Sequence, residues 1–362
     1  MTRPATDAVT VLERIRHPIV QAPMGGGLST VALAAAVSDA GGLGFLAAGY
    51  RTAAQVEQEV AELRKRTRSP FGVNVFVPPR EPADPGIVAA YVQRLEPVAD
   101  RFGVALGEPR SDDDDWDAKL ALLRRAEVPV ASFVFGCPPA DVVAELRAAG
   151  VEVWVTVTDP VEARVAAEAG ADALVAQGYE AGAHRAAFDD AAPADPLGLL
   201  ALLQLVAGET RLPVVAAGGI ATGGAVAAVL CAGATAAQIG TAFLRCPEAG
   251  TSPPHRAAVA SERPTRLTRA FTGRQARGIV NDFLERHGAE APSAYPEVHH
   301  ATAPVRAAAR AAGDGEFLHL WAGQAHRLAR EEPAGALVER LAAEAAAAVD
   351  AGARRLGAAA PA

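Results

Sequence analysis

Apolar residues gather in short continuous runs, and the segments between them carry a helical period. The runs fall at 19–22, 44–47, 71–76, 129–135, 152–157, 173–177, 213–217 and 236–239; the helical patterns fall at 30–39, 53–67, 140–149, 161–169, 197–207 and 224–232. A run such as Val-Pro-Val-Ala-Ser-Phe-Val-Phe, residues 128–135, is what a strand buried on both faces looks like. Strands of this kind alternating with helices predict βα units and a parallel sheet. A doubly wound open sheet would give similar runs. The count of eight, and the chemistry placed after the late strands, favour a (β/α)8 TIM barrel.

Two stretches break the rhythm. Residues 78–110 contain prolines and a helical pattern around 87–95, and Ser111-Asp112-Asp113-Asp114-Asp115-Trp116 follows. The acidic run reads as a solvated loop whose carboxylates cap a helix over 116–126. After Cys246 the composition shifts toward Pro, Arg and His, and clean strand runs stop. The expected organisation is a barrel over 10–250 and a smaller, mostly helical region over 251–362 that ends in a helix. That tail, 333–360, shows an apolar stripe at Leu337, Val338, Leu341 and Val349, which packs on the barrel or on a second copy in a homodimer.

Composition narrows the function classes. The chain has 362 residues, 34 basic against 42 acidic, a net charge of −8 and only 5% aromatic residues, so no basic face with stacking rings is offered to nucleic acid. Pro213 to Leu244 is uncharged and longer than a membrane span, but six glycines interrupt it, so it reads as a buried strand, helix and strand. No membrane partner is expected. Cys137, Cys231 and Cys246 are far apart and form no CxxC pair, which indicates neither a disulfide framework nor a zinc site. With no apolar signal core in residues 1–7, the expected location is the cytoplasm.

Candidate chemistry sits where the runs end. Ala217-Gly218-Gly219-Ile220 and Gln238-Ile239-Gly240-Thr241 follow the seventh and eighth strands, where barrels hold phosphate against backbone N–H groups. Glycine there lets the backbone approach the anion; the same residues also simply make tight turns. Pro23-Met24-Gly25-Gly26-Gly27 follows the first strand, and Asn74 is an amide within an otherwise apolar run that must find a partner. The segment 176–185, Ala-Gln-Gly-Tyr-Glu-Ala-Gly-Ala-His-Arg, follows the sixth strand and brings His184 to the active face of a barrel, with a pKa suited to proton transfer near neutrality. On the residues alone, a loop histidine also reads as solvent-facing, and Glu180 with Arg185 as a surface ion pair. The remaining histidines, His299-His300 included, show no metal-ligand spacing, and no metal is expected.

These motifs, in this order, carry a resemblance. Pro18-Ile19-Val20-Gln21-Ala22-Pro23-Met24, Gly41-Gly42-Leu43-Gly44, Asn74, the 177–185 segment, Gly218-Gly219-Ile220, Gln238-Ile239-Gly240-Thr241-Ala242-Phe243, Thr272-Gly273-Arg274-Gln275-Ala276-Arg277-Gly278 and Ala322-Gly323-Gln324 resemble the nitronate monooxygenases, formerly 2-nitropropane dioxygenases. The resemblance spans most of the chain. It implies an FMN-bearing barrel, with the smaller helical region over 251–362 lying over the flavin and substrate, in which Met24, Asn74, Gln177, Gly182, Gly218, Gly219 and the stretch Gln238, Ile239, Gly240 and Thr241 lie against FMN. It makes His184 the residue beside the flavin, either a base toward a nitroalkane or a partner for the bound nitronate. The implied reaction passes electrons from a nitronate to the flavin and to O2, releasing a carbonyl compound and nitrite; the protein supplies orientation and electrostatics.

Ala183 and Ala186 replace two glycines of the family pattern, and Trp321 replaces a tyrosine, so the pocket departs from the pattern near His184. The related flavin- and NAD(P)H-dependent enoyl-acyl carrier protein reductases share the barrel and the histidine segment, but Ala186-Ala187-Phe188 continues as in the monooxygenases. A flavin- or phosphate-binding scaffold without turnover is the reading from another class. Retention of His184 argues against it.

Overall fold

The computed structural model describes residues 10–357 except 80, 127 and 192–194. Residues 1–7, on which the absence of a signal core was read, and the end of the tail at 358–362 lie outside the described residues.

Eleven strands are described: β1 (Ile19–Gln21), β2 (Gly44–Ala47), β3 (Phe71–Phe76), β4 (Val130–Val134), β5 (Glu152–Val157), β6 (Ala173–Gln177), β7 (Ala183–His184), β8 (Val214–Ala217), β9 (Ala236–Ile239), β10 (Thr265–Thr268) and β11 (Ala276–Ile279). The helices are α1 (Val11–Arg14), α2 (Val31–Asp39), α3 (Ala53–Arg66), α4 (Pro85–Phe102), α5 (Trp116–Arg125), α6 (Ala140–Ala148), α7 (Pro160–Glu168), α8 (Leu199–Glu209), α9 (Gly223–Cys231), α10 (Pro253–Val259), α11 (Asp282–His287), α12 (Glu297–Ala311) and α13 (Ala334–Arg355). Eight strands run parallel in the order β1-β9-β8-β6-β5-β4-β3-β2. The outer pair meets: Leu43 N–H donates to the Ile19 carbonyl at 3.0 Å, and Gln21 N–H to the Leu43 carbonyl at 2.9 Å. The sheet is therefore a closed barrel, as the eight runs predicted. β4 and β8 each begin one residue after a proline, Pro129 and Pro213, which has no N–H to give the ladder.

The strands are apolar throughout because both faces are covered. Val20, Phe45, Val130, Trp154, Val175, Val215 and Ala236 fill the barrel interior, and α1 closes its lower end through a 2.6 Å hydrogen bond from Val11 N–H to Glu152 Oε1. The alternate residues Ile19, Val155, Leu174, Ala216 and Ala237 face outward into a core shared with α2, α8 and α9. The uncharged stretch 213–244 forms β8, α9 and β9, the buried strand, helix and strand its glycines indicated. No helix among the described residues is long and apolar enough to cross a membrane.

A second core stands over the carboxyl end of the barrel. It joins Val88, Tyr91 and Leu95 of α4 to Phe271, Phe283, Val298 and Val305, and Tyr91 donates its hydroxyl to the Ala270 carbonyl at 2.8 Å. The over-long unit after β3 thus sends its helix to this upper core. Strands β10, β11 and β7 form a small antiparallel sheet beside it. Helix α13 turns back: Leu337, Val338, Leu341 and Ala345 belong to the barrel's outer core, and Gly223 N–H donates to Glu344 Oε2 at 3.0 Å. Of the stripe read from the sequence, Val349 lies outside that contact, 45% exposed.

The acidic run is more than a solvated loop. Asp115 precedes α5, but its carboxylate accepts from Ala53 N–H of α3 at 3.1 Å, while Asp114 pairs with Lys119 at 2.7 Å. Lys119 is 1% exposed.

Candidate active site

The barrel interior changes character along its axis. Its lower layers are apolar, whereas at the carboxyl end Asn74, Thr156, Gln177 and Gln238 turn inward. Above them lies a cavity of about 310 Å³, bounded by the loops after the strands and by the upper core. Met24, Asn74, Gln177, Gly182, His184, Gly218, Gly219, Gln238, Gly240 and Thr241 all line it. Ile239 does not. Strand alternation puts Gln238 inside and Ile239 into the outer core, 1% exposed, with its carbonyl taken by Ala22 N–H at 2.8 Å.

Two turns leave backbone donors facing the cavity. Gly218 and Gly219 have φ of 120° and 69°, and the N–H groups of Gly218, Gly219, Gly240 and Thr241 have no acceptor among the described residues. Such donors need a partner, and an anion is the natural one. A Cβ on Gly219 would stand 3.2 Å from Glu180 Cβ and take up that approach. Asn74 donates Nδ2 to the Ser132 carbonyl and Oγ, at 3.1 and 3.0 Å, which leaves its Oδ1 without a donor among the described residues.

His184 is held from several sides. Gln177 donates Nε2 to the His184 carbonyl at 3.1 Å and accepts from Ala186 N–H at 2.9 Å, so one amide grips the loop on both sides of the imidazole. Strand β7 pairs His184 with Ala276 of β11. The ring lies edge-on to Phe135 and Tyr295 and tilted against Trp321, and Nε2 is 2.9 Å from Thr272 Oγ1. Burial, then the charges of Arg274 and Arg306, lower its pKa from 6.5 to about 3, so the ring is neutral throughout the physiological range. Ala183 occupies the left-handed region at φ 61°, the conformation that explains a glycine in the family pattern; its methyl costs about 1–2 kcal/mol there. Ala186 has no such strain and is fully buried.

Glu180 and Arg185 are not a surface pair. Glu180 accepts from Leu199 N–H at the start of α8, at 3.1 Å, and Arg185 is 6% exposed and donates to the Gln177 carbonyl. Both serve the loop that carries His184.

Several lining residues stand outside the site residues named from the sequence. Tyr50, Thr272, His299, Arg306, Arg310 and His319 complete the wall. His299 and Arg306 belong to α12, and their spacing with Arg310 follows one helical face; that basic stripe on an Ala/Val-rich helix was the signal available. Arg306 is 8% exposed, donates Nε to Thr302 Oγ1 and Nη2 to the His299 carbonyl, and forms no ion pair among the described residues. His299 and His319 are driven to the neutral form by burial and by Arg306, and His319 Nδ1 is buried without a partner among the described residues. The lining contains two arginines and three histidines and no carboxylate, in a protein of net charge −8. The thiols play no part in this wall: burial raises Cys137 to about 11 and Cys246 to about 12, and Cys231 is on the surface.

The chain is similar to known proteins over most of its length. A family model described as nitronate monooxygenase matches residues 7–344. A nitronate monooxygenase of Paraburkholderia phytofirmans is 42% identical over 92% of this chain and 93% of its own length, and one of Pseudomonas aeruginosa is 42% identical over 93% and 98%. Among solved structures, a nitroalkane oxidase from Streptomyces ansochromogenes superposes with a TM-score of 0.92 at 53% identity, covering 94% of this chain and 99% of that one. FabK from Thermotoga maritima superposes at 0.73 with 28% identity, covering 94% and 96%. The family match, running almost end to end through the loops that build the cavity, settles the classification: this chain belongs to the nitronate monooxygenase family of oxidoreductases.

Proposed function

We propose that this enzyme binds FMN in the cavity and oxidises alkyl nitronates with O2 to carbonyl compounds and nitrite. The observation that carries the reading is the cationic wall: the buried Arg306 and a second arginine, Arg310, unopposed by any lining carboxylate, beside a neutral His184. Such a wall favours an anion over its neutral acid.

The residues present fit the cofactor. The N–H groups of Gly218, Gly219, Gly240 and Thr241 would take its phosphate, and Asn74 Oδ1 and Gln238 would meet its polar ring edge, with Met24 and Gly182 alongside. When bound, FMN supplies the electron acceptor and the oxygen-reactive centre.

The chain's own groups do the rest. Arg306, with Arg310 at the rim, neutralises the nitronate charge as it leaves water. Gln177 and Thr272 fix the imidazole of His184: Thr272 Oγ1 stands 2.9 Å from Nε2 and its hydroxyl also reaches the Arg274 carbonyl at 3.2 Å, so the neutral ring is held as a partner for the bound nitronate. A ring whose conjugate acid is this strong is a poor base toward a carbon acid, so binding of the preformed nitronate, rather than proton abstraction from a nitroalkane, is the role we assign to His184. Trp321, Phe135 and Tyr295 surround the ring and exclude water. We place the barrel over 10–250 as the flavin-holding unit and the region from 251 as its cover, in a cytoplasmic protein with three unpaired cysteines.

The test is an absorbance spectrum of the purified protein followed by anaerobic additions. Bound flavin whose absorbance is lost on adding a nitronate, and unaffected by NADH, supports the reading. Rapid loss with NADH would select the reductase reading, for which the likeness to FabK is the weaker at 28% against 53% identity. A protein that takes up no FMN would refute it.

A further inference from the structure

We infer that the acidic loop 112–115, anchored by the buried Lys119, is a positioning device for the substrate end of the cavity. The chain of contacts runs inward from the surface. Lys119 Nζ, on a side chain 1% exposed, meets Asp114 Oδ2 at 2.7 Å; the other oxygen, Oδ1, accepts from Tyr50 N–H at 3.0 Å. Tyr50 stands in the left-handed region at φ 65°, a conformation that a bulky side chain adopts only where its surroundings over-determine it. Its ring lines the cavity, packs edge-on against Phe76 and stacks on His299 with centroids 4.0 Å apart and planes 2° from parallel. His299 in turn lies 3.2 Å from Arg306 through Nδ1, and its carbonyl accepts from the same guanidinium at 2.7 Å.

A second strut reaches the same helix. Asp112 Oδ2 is 2.6 Å from His300 Nε2, and Asp112 Oδ1 accepts from Asp114 N–H at 3.3 Å, so the two acids act as one unit. Lys119 fixes the loop on the barrel side through α5, while Tyr50 and His300 carry its grip into α12. None of the loop's residues touches the cavity. Asp114 and Lys119 are therefore positioning residues: they set where the Tyr50 ring stands, and through His299 where Arg306 is aimed. The loop belongs to the unit inserted between β3 and β4, so the enzyme's reach for its substrate depends on an insertion outside the regular barrel.

The experiment compares two double variants that both remove the Lys119–Asp114 ion pair and differ at the acceptor for Tyr50 N–H. Lys119→Met/Asp114→Asn keeps an oxygen for Tyr50 N–H; Lys119→Met/Asp114→Gly removes it while tolerating the left-handed φ of 55° at that position. Two readouts are taken, amide exchange over 297–306 and steady-state oxidation of 2-nitropropane nitronate. The Gly pair is expected to exchange about tenfold faster over 297–306 with the barrel strands unchanged, and to raise KM about tenfold with kcat within about twofold. The Asn pair is expected to stay near wild type in both. Wild-type exchange over 297–306 in the Gly pair, or faster exchange with KM unchanged, would overturn the inference. The kinetic arm rests on the function proposed above; if the wild-type protein fails to oxidise the nitronate, that reading fails while the exchange arm still decides whether the loop positions α12.

Discussion

Replacing His184 with asparagine tests whether the cavity holds its histidine neutral, and the size of the effect follows from the proton balance. The unfolded chain binds a proton on His184 below its ordinary pKa of 6.5, whereas the folded protein does so only below about 3. Folding therefore expels a proton between those values. By linkage, the neutral histidine's share of stability is intact above pH 6.5 and falls away as the pH drops toward 3. At about pH 5 the loss from this one group is about 2 kcal/mol, and it stays near that figure for any folded pKa below about 4. An asparagine side chain cannot titrate, so the His184→Asn variant escapes the loss. The assay is urea denaturation of both proteins followed by tryptophan fluorescence, at about pH 7.5 and about pH 5. The stability gap between them should move by about 2 kcal/mol in the variant's favour on acidification, whatever its value at neutral pH. Taking the difference removes every other titrating group shared by the two proteins. A gap that does not move with pH would show that folded His184 protonates near its ordinary value. It would then be charged in the cavity at mildly acidic pH, and the assignment of His184 as a neutral partner of the nitronate would be refuted.

Three further substitutions probe separate parts of the site. Gly219→Val puts a branched side chain at φ 69° against Glu180 and in the path of the phosphate, and should weaken FMN retention at least about tenfold on gel filtration; full flavin content would remove this turn from the phosphate site. Arg306→Met keeps the buried stem and deletes the charge, and should raise the nitronate KM about tenfold with flavin content unchanged; an unaltered KM would show that the wall does not hold the anion. Ala183→Gly relieves a left-handed alanine, and after allowing for the looser unfolded chain it should stabilise the protein by about 0.5–1 kcal/mol. A lowered denaturation midpoint would mean that the methyl packs too well to lose.

What the sequence could and could not convey depends on how local the cause was. The barrel was legible because each strand is covered on both faces, and that condition writes itself into consecutive residues such as 128–135. The glycine turns were legible for the same reason: φ of 120° and 69° at Gly218 and Gly219 is a demand that single residues meet. Ile239 was drawn into the site by its neighbours in a motif, although strand alternation assigns it to the opposite face from Gln238. The acidic run read as solvated because nothing beside it announces that its partner, Lys119, is buried, or that its oxygens serve Tyr50 and Ala53 more than 60 residues away. Tyr50 gave no sign at all. Its left-handed backbone is imposed by tertiary contacts that no local preference encodes.

The division of labour between the two cores has a consequence for how this enzyme can vary. The groups proposed for the flavin come from the barrel, at the ends of β3, β6, β8 and β9, where backbone position is fixed by strand pairing on both sides. The wall facing the substrate comes mostly from the upper core, with Arg306, Arg310 and His299 on α12 and Thr272 and Trp321 on the loops around β11. Among the described residues only Tyr50, held by the inserted acidic loop, brings a barrel-side ring against α12. Changes confined to α12 therefore reach the substrate without disturbing the phosphate turns, and changes at Gly219 reach the flavin without moving α12. The two classes of variant should separate in the assay: flavin content follows residues 218–241, and nitronate KM follows residues 299–310. A variant of α12 that lost flavin as fast as affinity would show that the two cores move as one, and the separation argued from their packing would fail.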